Sequence, residues 1–342
     1  MLTVSRIIGT VAGALALAAT SAIPALAQVN FYEGKTIRVV VALGTGGGYD
    51  GYARLLSRHL GKHLPGNPTI VVQNMPGAGG IIAANHVYNV ATKDGTTIGA
   101  LHANIALSQV TDTPNLEYDA RKMNWVGRLV SGGLDIHHTL QPNGAKSFDE
   151  LLTREVVFGG GGPTSSSIVE ANGINKMMDG KLKILGGYKG TADTTLALER
   201  GEIDMASKNW ELIRTQHIDW LKDKKVNLVV QFGLTRHPEL PNVPTILDVS
   251  KTEEQKQVWR VILSPVAIGY AYSVAPGVPA DRVAMLRKAF DEMLKDADFK
   301  ADAEKAKLDL EPASGADLEQ SVQAMFKADA GAVAVVKSLL AQ

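Results

Sequence analysis

Two glycine-rich turns hold the residues with the clearest chemistry in this chain. The first is Gly44-Thr45-Gly46-Gly47-Gly48-Tyr49-Asp50, and the second is Asn74-Met75-Pro76-Gly77-Ala78-Gly79-Gly80. Glycine accepts left-handed backbone angles and lets other groups approach closely, so such turns aim bare N–H groups outward. A helix starting directly behind each turn adds a positive partial charge. Two of them on consecutive strands can grip an anionic group with neither a metal nor a basic side chain. That is the outline of a carboxylate or phosphate receptor.

Two further turns repeat the design: Gly159-Gly160-Gly161-Gly162-Pro163-Thr164-Ser165-Ser166-Ser167 and Gly186-Gly187-Tyr188-Lys189-Gly190-Thr191. Four hydroxyls in a row at Thr164 to Ser167 exceed what one helix cap needs, which favours anion contact. Tyr188 can wall a site with its ring, and Lys189 lies in the tight turn beside it. Lys208 and Asn209 follow a strand of this second set, and His102 and Asn104 follow the strand ending at Leu101. All four have the topological position at which α/β folds bind ligands. Asp50 has two readings: a first-turn acid complementing the helix dipole, which is favoured, or a partner for a ligand ammonium or hydroxyl.

Other motifs fail on their spacing. Gly46-x-Gly48-x-x-Gly51 matches a dinucleotide fingerprint formally, but Gln73-Asn74 stand where an acid should hold the ribose. His59 and His63 lack the intervening Glu of a His-Glu-x-x-His site and read as a solvated helix face. His137-His138 are consecutive and point oppositely on a strand, which suits a metal poorly. No Gly-x-Ser-x-Gly elbow and no paired carboxylates occur, so the residues offer no catalytic set.

The elements that must position these turns alternate. Strand-like runs fall at 36–43, 69–73, 96–101, 124–130, 155–159, 182–187, 202–206, 226–233 and 266–273. Helical patterns fall at 51–64, 79–90, 147–152, 165–179, 191–200 and 209–222, with charged helices at 279–294, 298–307 and 315–340. Alternation of this kind predicts mostly parallel, doubly wound sheets flanked by helices. Two sets of glycine-rich turns predict two such sheets facing each other across a cleft.

Of the 342 residues, 35 are Lys or Arg and 35 are Asp or Glu, so no net field favours nucleic acid. There is no cysteine, hence no disulfide, thiolate metal site or thiol nucleophile. Arg6, the apolar Ile7 to Ala19 and Ala25-Leu26-Ala27 read as a cleavable export signal over 1–27, leaving a mature chain from about Gln28.

Gly46-Gly47-Gly48-Tyr49-Asp50-x-Tyr52-Ala53-Arg54, Asn74 to Gly80, Asp94-Gly95-Thr96-Thr97-Ile98-Gly99, Tyr188-Lys189-Gly190-Thr191, Gly201-Glu202-Ile203-Asp204-Met205 and Leu240-Pro241-Asn242-Val243-Pro244-Thr245 occur in order. Together they resemble the solute receptors of tripartite tricarboxylate transporters, the Bug or TctC-like proteins. The resemblance implies a two-lobed type II periplasmic-binding fold, with lobe 1 over 28–130 and 255–342 and lobe 2 over 131–254. It implies crossings near 128–135 and 250–268, and flytrap closure in the periplasm on a small organic carboxylate for delivery to a membrane permease. Carried over, the ligand-binding positions are Gly46, Gly47, Gly48, Asp50, Ala78, Gly79, Thr164, Ser165, Ser166, Tyr188, Lys189, Gly190 and Thr191, to which position at the strand ends adds His102, Asn104, Lys208 and Asn209. No cofactor, metal or nucleic-acid partner is expected, and a monomer is. The alternatives are an exported enzyme acting on an anionic substrate and a receptor that feeds a signalling partner. The chain departs from the family at Leu43-Gly44-Thr45, where prolines usually precede the glycines, and at Ala206-Ser207-Lys208-Asn209.

Overall fold

The computed structural model describes residues 31–140, 142, 144–162, 165–188 and 190–341. The expected export signal and the candidates Thr164 and Lys189 lie outside the described residues.

The first part of the chain builds β1 (Thr36–Val41), α1 (Gly48–His59), β2 (Thr69–Asn74), α2 (Ile81–Asn85), β3 (Thr97–Ala100), α3 (Ile105–Val110) and β4 (Asn124–Arg128). A second run follows with β5 (Asp135–Leu140), α4 (Glu150–Thr153), β6 (Val156–Gly159), α5 (Ser166–Met178), β7 (Leu182–Leu185), α6 (Thr191–Glu199), β8 (Met205–Asn209), α7 (Trp210–Gln216), α8 (Ile218–Lys222) and β9 (Val226–Phe232). The chain ends in α9 (Ile246–Val249), α10 (Glu253–Ile268), β10 (Ala271–Val274), α11 (Ala280–Met293), α12 (Ala297–Lys305), β11 (Ala313–Ser314), α13 (Gly315–Met325) and α14 (Ala330–Leu340).

These strands form two sheets, ordered β11-β4-β10-β3-β1-β2 and β7-β6-β8-β5-β9. Period-2 alternation shows why the first is covered on both faces. Ile37, Val39 and Val41 pack with Tyr52, Leu55 and Leu56 of α1 and Phe290 of α11. Val40 and Ala42 point the other way, to Ala83 and Ala84 of α2 and Leu318 of α13. Each fully buried valine contributes about 1.5–3 kcal/mol to this packing. In the second sheet Phe158, Met205 and Phe232 meet α5 and α10. Ala206 faces α6 on the other side, and Ile136 packs with Trp210 and Ile213 of α7.

The strand directions place the two sets of turns opposite each other. β1, β2 and β3 are parallel, and β4 runs with them because β10 is antiparallel to both β3 and β4. The chain therefore leaves the first sheet at its C-terminal edge. β5 is antiparallel to β8, which is parallel to β6 and β7, so β5 starts at the C-terminal edge of the second sheet. Only residues 129–134 lie between β4 and β5, a reach of at most about 20 Å. The returning chain enters β10 at the same edge of the first sheet.

The sheets are mixed rather than mostly parallel, since β5 and β10 each enter antiparallel directly after a crossing. The expected second crossing at 250–268 is the helix α10, started by a Thr252/Gln255 capping box. The run expected as a strand over 266–273 splits at Gly269, whose φ of +56° ends the helix before β10. β5 was not foreseen: Asp135-Ile136-His137-His138-Thr139-Leu140 offers polar side chains to both faces. Helix α3 was likewise not foreseen. The single helices expected over 209–222 and 315–340 each break in two, at His217 and before the Asp329 cap.

Candidate functional site

The first turn is organised from within. Asp50, almost wholly buried, accepts from Gly46 N–H at 2.9 Å, from Arg54 Nε and Nη2 at 2.9 Å each, and from Asn74 Nδ2 at 3.0 Å. The Arg54 bonds, then those of Gly46 and Asn74, hold its carboxyl down at about 2. Four donors fill its acceptor positions, so Asp50 fixes the loop shape. Asn74 also donates to Leu43 O at 3.0 Å, tying the ends of β1 and β2 together.

Gly47 caps α1 through backbone alone, and the first-turn N–H groups of Gly48 and Tyr49 take no protein acceptor among the described residues. Gly46 needs its glycine, with φ +82°. A side chain at Gly47 would meet nothing within 4 Å, whereas one at Gly48 would strike Tyr270 Oη at 2.7 Å. The second turn holds three successive left-handed residues, Ala78, Gly79 and Gly80 (φ 47°, 63° and 95°), a nest-like arrangement of N–H groups. Gly80 packs on His102, which would lie 2.8 Å from a Cβ there.

Aromatic rings link the turns. Tyr49 stacks on His102 (5.4 Å) and Tyr270 (4.3 Å), and its hydroxyl accepts from Ala103 N–H at 2.9 Å. Burial lowers the His102 pKa, and Asn104 donates its backbone N–H to His102 Nδ1 at 3.2 Å. The structure therefore brings Gly46, Gly47, Gly48, Asp50, Ala78, Gly79, His102 and Asn104 to one sheet edge.

In the second sheet, Gly187 N–H donates to Gly161 O (2.8 Å) and Tyr188 N–H to Gly160 O (3.2 Å), which joins its two turns. Ser165 Oγ bonds back to Gly162 O at 2.8 Å, and Ser166 Oγ donates to Asp135 Oδ2 at 2.9 Å. Tyr188 packs on Leu198, Ile203 and Ala206, while Gly190 caps α6 ahead of the exposed Thr191.

Lys208 lies apart from these turns, whereas Asn209 ends β8 opposite Asp135 at the same sheet edge. Lys208 is buried on the α6/α8 face of the sheet, its Nζ 2.7 Å from His217 Nε2 and over the Trp220 ring. Asn209 caps α7 by accepting from Glu211 N–H at 2.9 Å. His59 and His63, read from sequence as a solvated face, bond Asp302 (2.9 Å) and Asp296 (3.0 Å) instead. No cluster that could hold a metal occurs among the described residues, and none of their helices is long and apolar enough to cross a membrane. A cavity of about 630 Å³ lies elsewhere, between α3, α10 and α13, and contains none of these turns.

Sequence reasoning placed the crossings near 128–135 and 250–268 but missed Asp135, Tyr270 and the bonding of the two crossings to each other. Gly132 N–H donates to Val266 O (2.8 Å) and Tyr270 N–H to Val130 O (3.0 Å), so the two crossings run bonded side by side. A glycine pair after an apolar strand, Gly132-Gly133, was the available signal for the hinge.

Two α/β sheets thus meet edge to edge over a double crossing. The TctC family model, the tripartite tricarboxylate transporter family receptor, matches residues 52–311, and the chain belongs to that family of non-enzymatic receptors. A Cupriavidus necator protein (UPF0065 protein in the gbd 5′ region) is 25% identical over 88% of this chain and 87% of its own. A UPF0065 protein of Bordetella bronchiseptica is 35% identical over a shorter stretch, 28% of each chain. Among solved structures, a TctC solute-binding protein from Polaromonas has a TM-score of 0.68 at 18% identity, covering 91% of this chain and 99% of its own. Rhodopseudomonas palustris MatC with bound malate has a TM-score of 0.58 at 22% identity, covering 90% and 99%. A second R. palustris protein, Rpa4515 with adipate, has a TM-score of 0.60 at 20% identity, covering 89% and 98%.

Proposed function

We propose that this receptor captures a small organic carboxylate outside the cytoplasm and hands it to the membrane subunits of a tripartite transporter. Lobe 1 (28–130 with 255–342) takes the carboxylate on its two turns, and lobe 2 (131–254) closes over it by rotation about the paired crossings. The observation that carries this reading is the set of N–H groups at Gly48, Tyr49, Ala78 and Gly79, which take no acceptor among the described residues, whereas Gly80 N–H closes the turn onto Gly77 O at 2.9 Å. Preorganised N–H donors at a helix start bind an anion without neutralising it, which suits release to a partner. The malate and adipate held by the two Rhodopseudomonas relatives support a carboxylate as the ligand class.

Gly47→Val tests the site directly. Its Cβ enters open space and its φ of −87° suits any residue, so the variant should fold. The isopropyl group then covers the N–H groups of the turn. In a thermal-shift screen of carboxylates, wild type at 100 times Kd gains about 2.7 kcal/mol. Gly47→Val should show no such gain, and an unchanged shift would remove this turn from the site.

A further inference from the structure

The second lobe carries an acid where an anion receptor would want a donor. Asp135 is the first residue of β5, immediately after the crossing, and its Oδ2 accepts the Ser166 hydroxyl at the N-terminus of α5 (2.9 Å). A protein carboxylate thus stands beside the helix start, held by the Ser166 hydroxyl. No cation among the described residues neutralises it. Among the described residues the titratable groups acting on Asp135 are Glu170 and His137, with no lysine or arginine. Glu170 is itself engaged with His137 Nε2 at 3.0 Å, and Arg54 serves Asp50 in the other lobe.

We propose that Asp135 is a specificity-determining residue of the cleft, selecting a carboxylate ligand that carries an ammonium or other cationic donor at its far end over a dicarboxylate. The inference rests on the carboxylate-receptor reading above. Lobe 1 holds the carboxylate on N–H groups; the ligand's opposite end meets Asp135 as lobe 2 closes. A second ligand carboxylate would meet an acid there. Burial and the neighbouring Glu170 push the Asp135 carboxyl up to about 7, as befits an acid that lacks its counter-charge.

Isothermal titration with chain-matched pairs reads this choice: β-alanine against succinate, and 5-aminopentanoate against adipate. Wild type should bind the amino member of at least one pair ten-fold or more tightly than its diacid. Asp135→Asn, nearly isosteric and able to keep the Ser166 bond, should reduce that ratio at least ten-fold, mainly by weakening the amino ligand. Tighter binding of the diacids by wild type overturns the inference, whatever the variant does. So does a ratio that Asp135→Asn leaves unchanged. In both cases diacid binding that Gly47→Val abolishes leaves the receptor reading standing. If neither pair nor any other carboxylate binds, both readings fall together.

Discussion

His137 and Glu170 are buried against each other, and burial drives them in opposite directions: Glu170 up to about 8 and His137 down to about 3. Between these values the folded pair holds one proton, on Glu170, which donates it to His137 Nε2. In the unfolded chain the same groups titrate near 4.5 and 6.5. From 4.5 to 6.5 both states hold one proton, so the pair leaves stability flat. Above 6.5 the unfolded chain holds fewer protons, and stability falls until about pH 8. Below 4.5 it holds more, and stability falls with further acid. Glu170→Gln removes the carboxyl from this count. The stability of wild type minus that of the variant, from urea midpoints, should fall as pH climbs from 4.5 to 8, by about 1 kcal/mol or more. A difference independent of pH would show that Glu170 stays ionised. At this scale the sequence was legible only where a residue acts through its backbone. The glycines of both lobe-1 turns could be read, because φ and exposure follow from residue type. Asp50 and Asp135 could not: one is saturated by Arg54 and Asn74, the other left without a cation, and tertiary contacts alone decide which.

Elements built from local signals were legible for the same kind of reason. β1 with α1, and β6 with α5, show an apolar run, a glycine turn and a helical pattern in continuous sequence. The antiparallel strands β5 and β10 derive their place from partners far along the chain, so period alone did not mark them correctly. α10 makes the clearest case. Its apolar residues serve two packings, Trp259 and Leu263 on the second sheet and Val258 and Val261 on α14, which blurs any single stripe. Its end depends on Gly269, where a Cβ would lie 2.3 Å from Val130 O and 2.6 Å from Ser131 C. Gly269→Ala must therefore push the crossings apart as well as adopt a positive φ. It should destabilise the protein by about 1–3 kcal/mol and lower the melting temperature by a few degrees. An unchanged melt would mean that the crossings are not tightly paired.

Across the whole molecule, the lobes also touch beyond the hinge. Arg214 of α7 reaches across to Asp309 at 3.1 Å, and within the first lobe Tyr52 of α1 fixes Asp309 by donating to its carbonyl at 2.8 Å. Arg214 also pairs with Glu211 and lies 3.8 Å from Glu239. Burial first, then a hydrogen bond to Asp309, pushes Glu211 up to about 7. Below that pH the Glu211 proton bridges two carboxyls across the lobes; above it they repel, and Arg214 alone holds them. Partly exposed pairs contribute about 0.2–1 kcal/mol, a several-fold change in the closed population at most. Small-angle scattering of unliganded Arg214→Ala should show a larger radius of gyration than wild type, with the gap wider at pH 8 than at pH 6. Identical curves would remove the latch.

Behind the hinge the arrangement is heavier. Helix α10 joins the core of the second lobe to α14, and Lys176 Nζ of α5 donates to Ser338 Oγ of α14 at 2.7 Å. One flank of the cleft is thus braced by packed helices, and the other by a few charges. Stiffness so unequal leaves one soft coordinate, a door-like swing with α10 as its post and the Arg214 side as its free edge. In the proposed closure, a membrane partner touching both lobes at that free edge would meet the widest part of the swing.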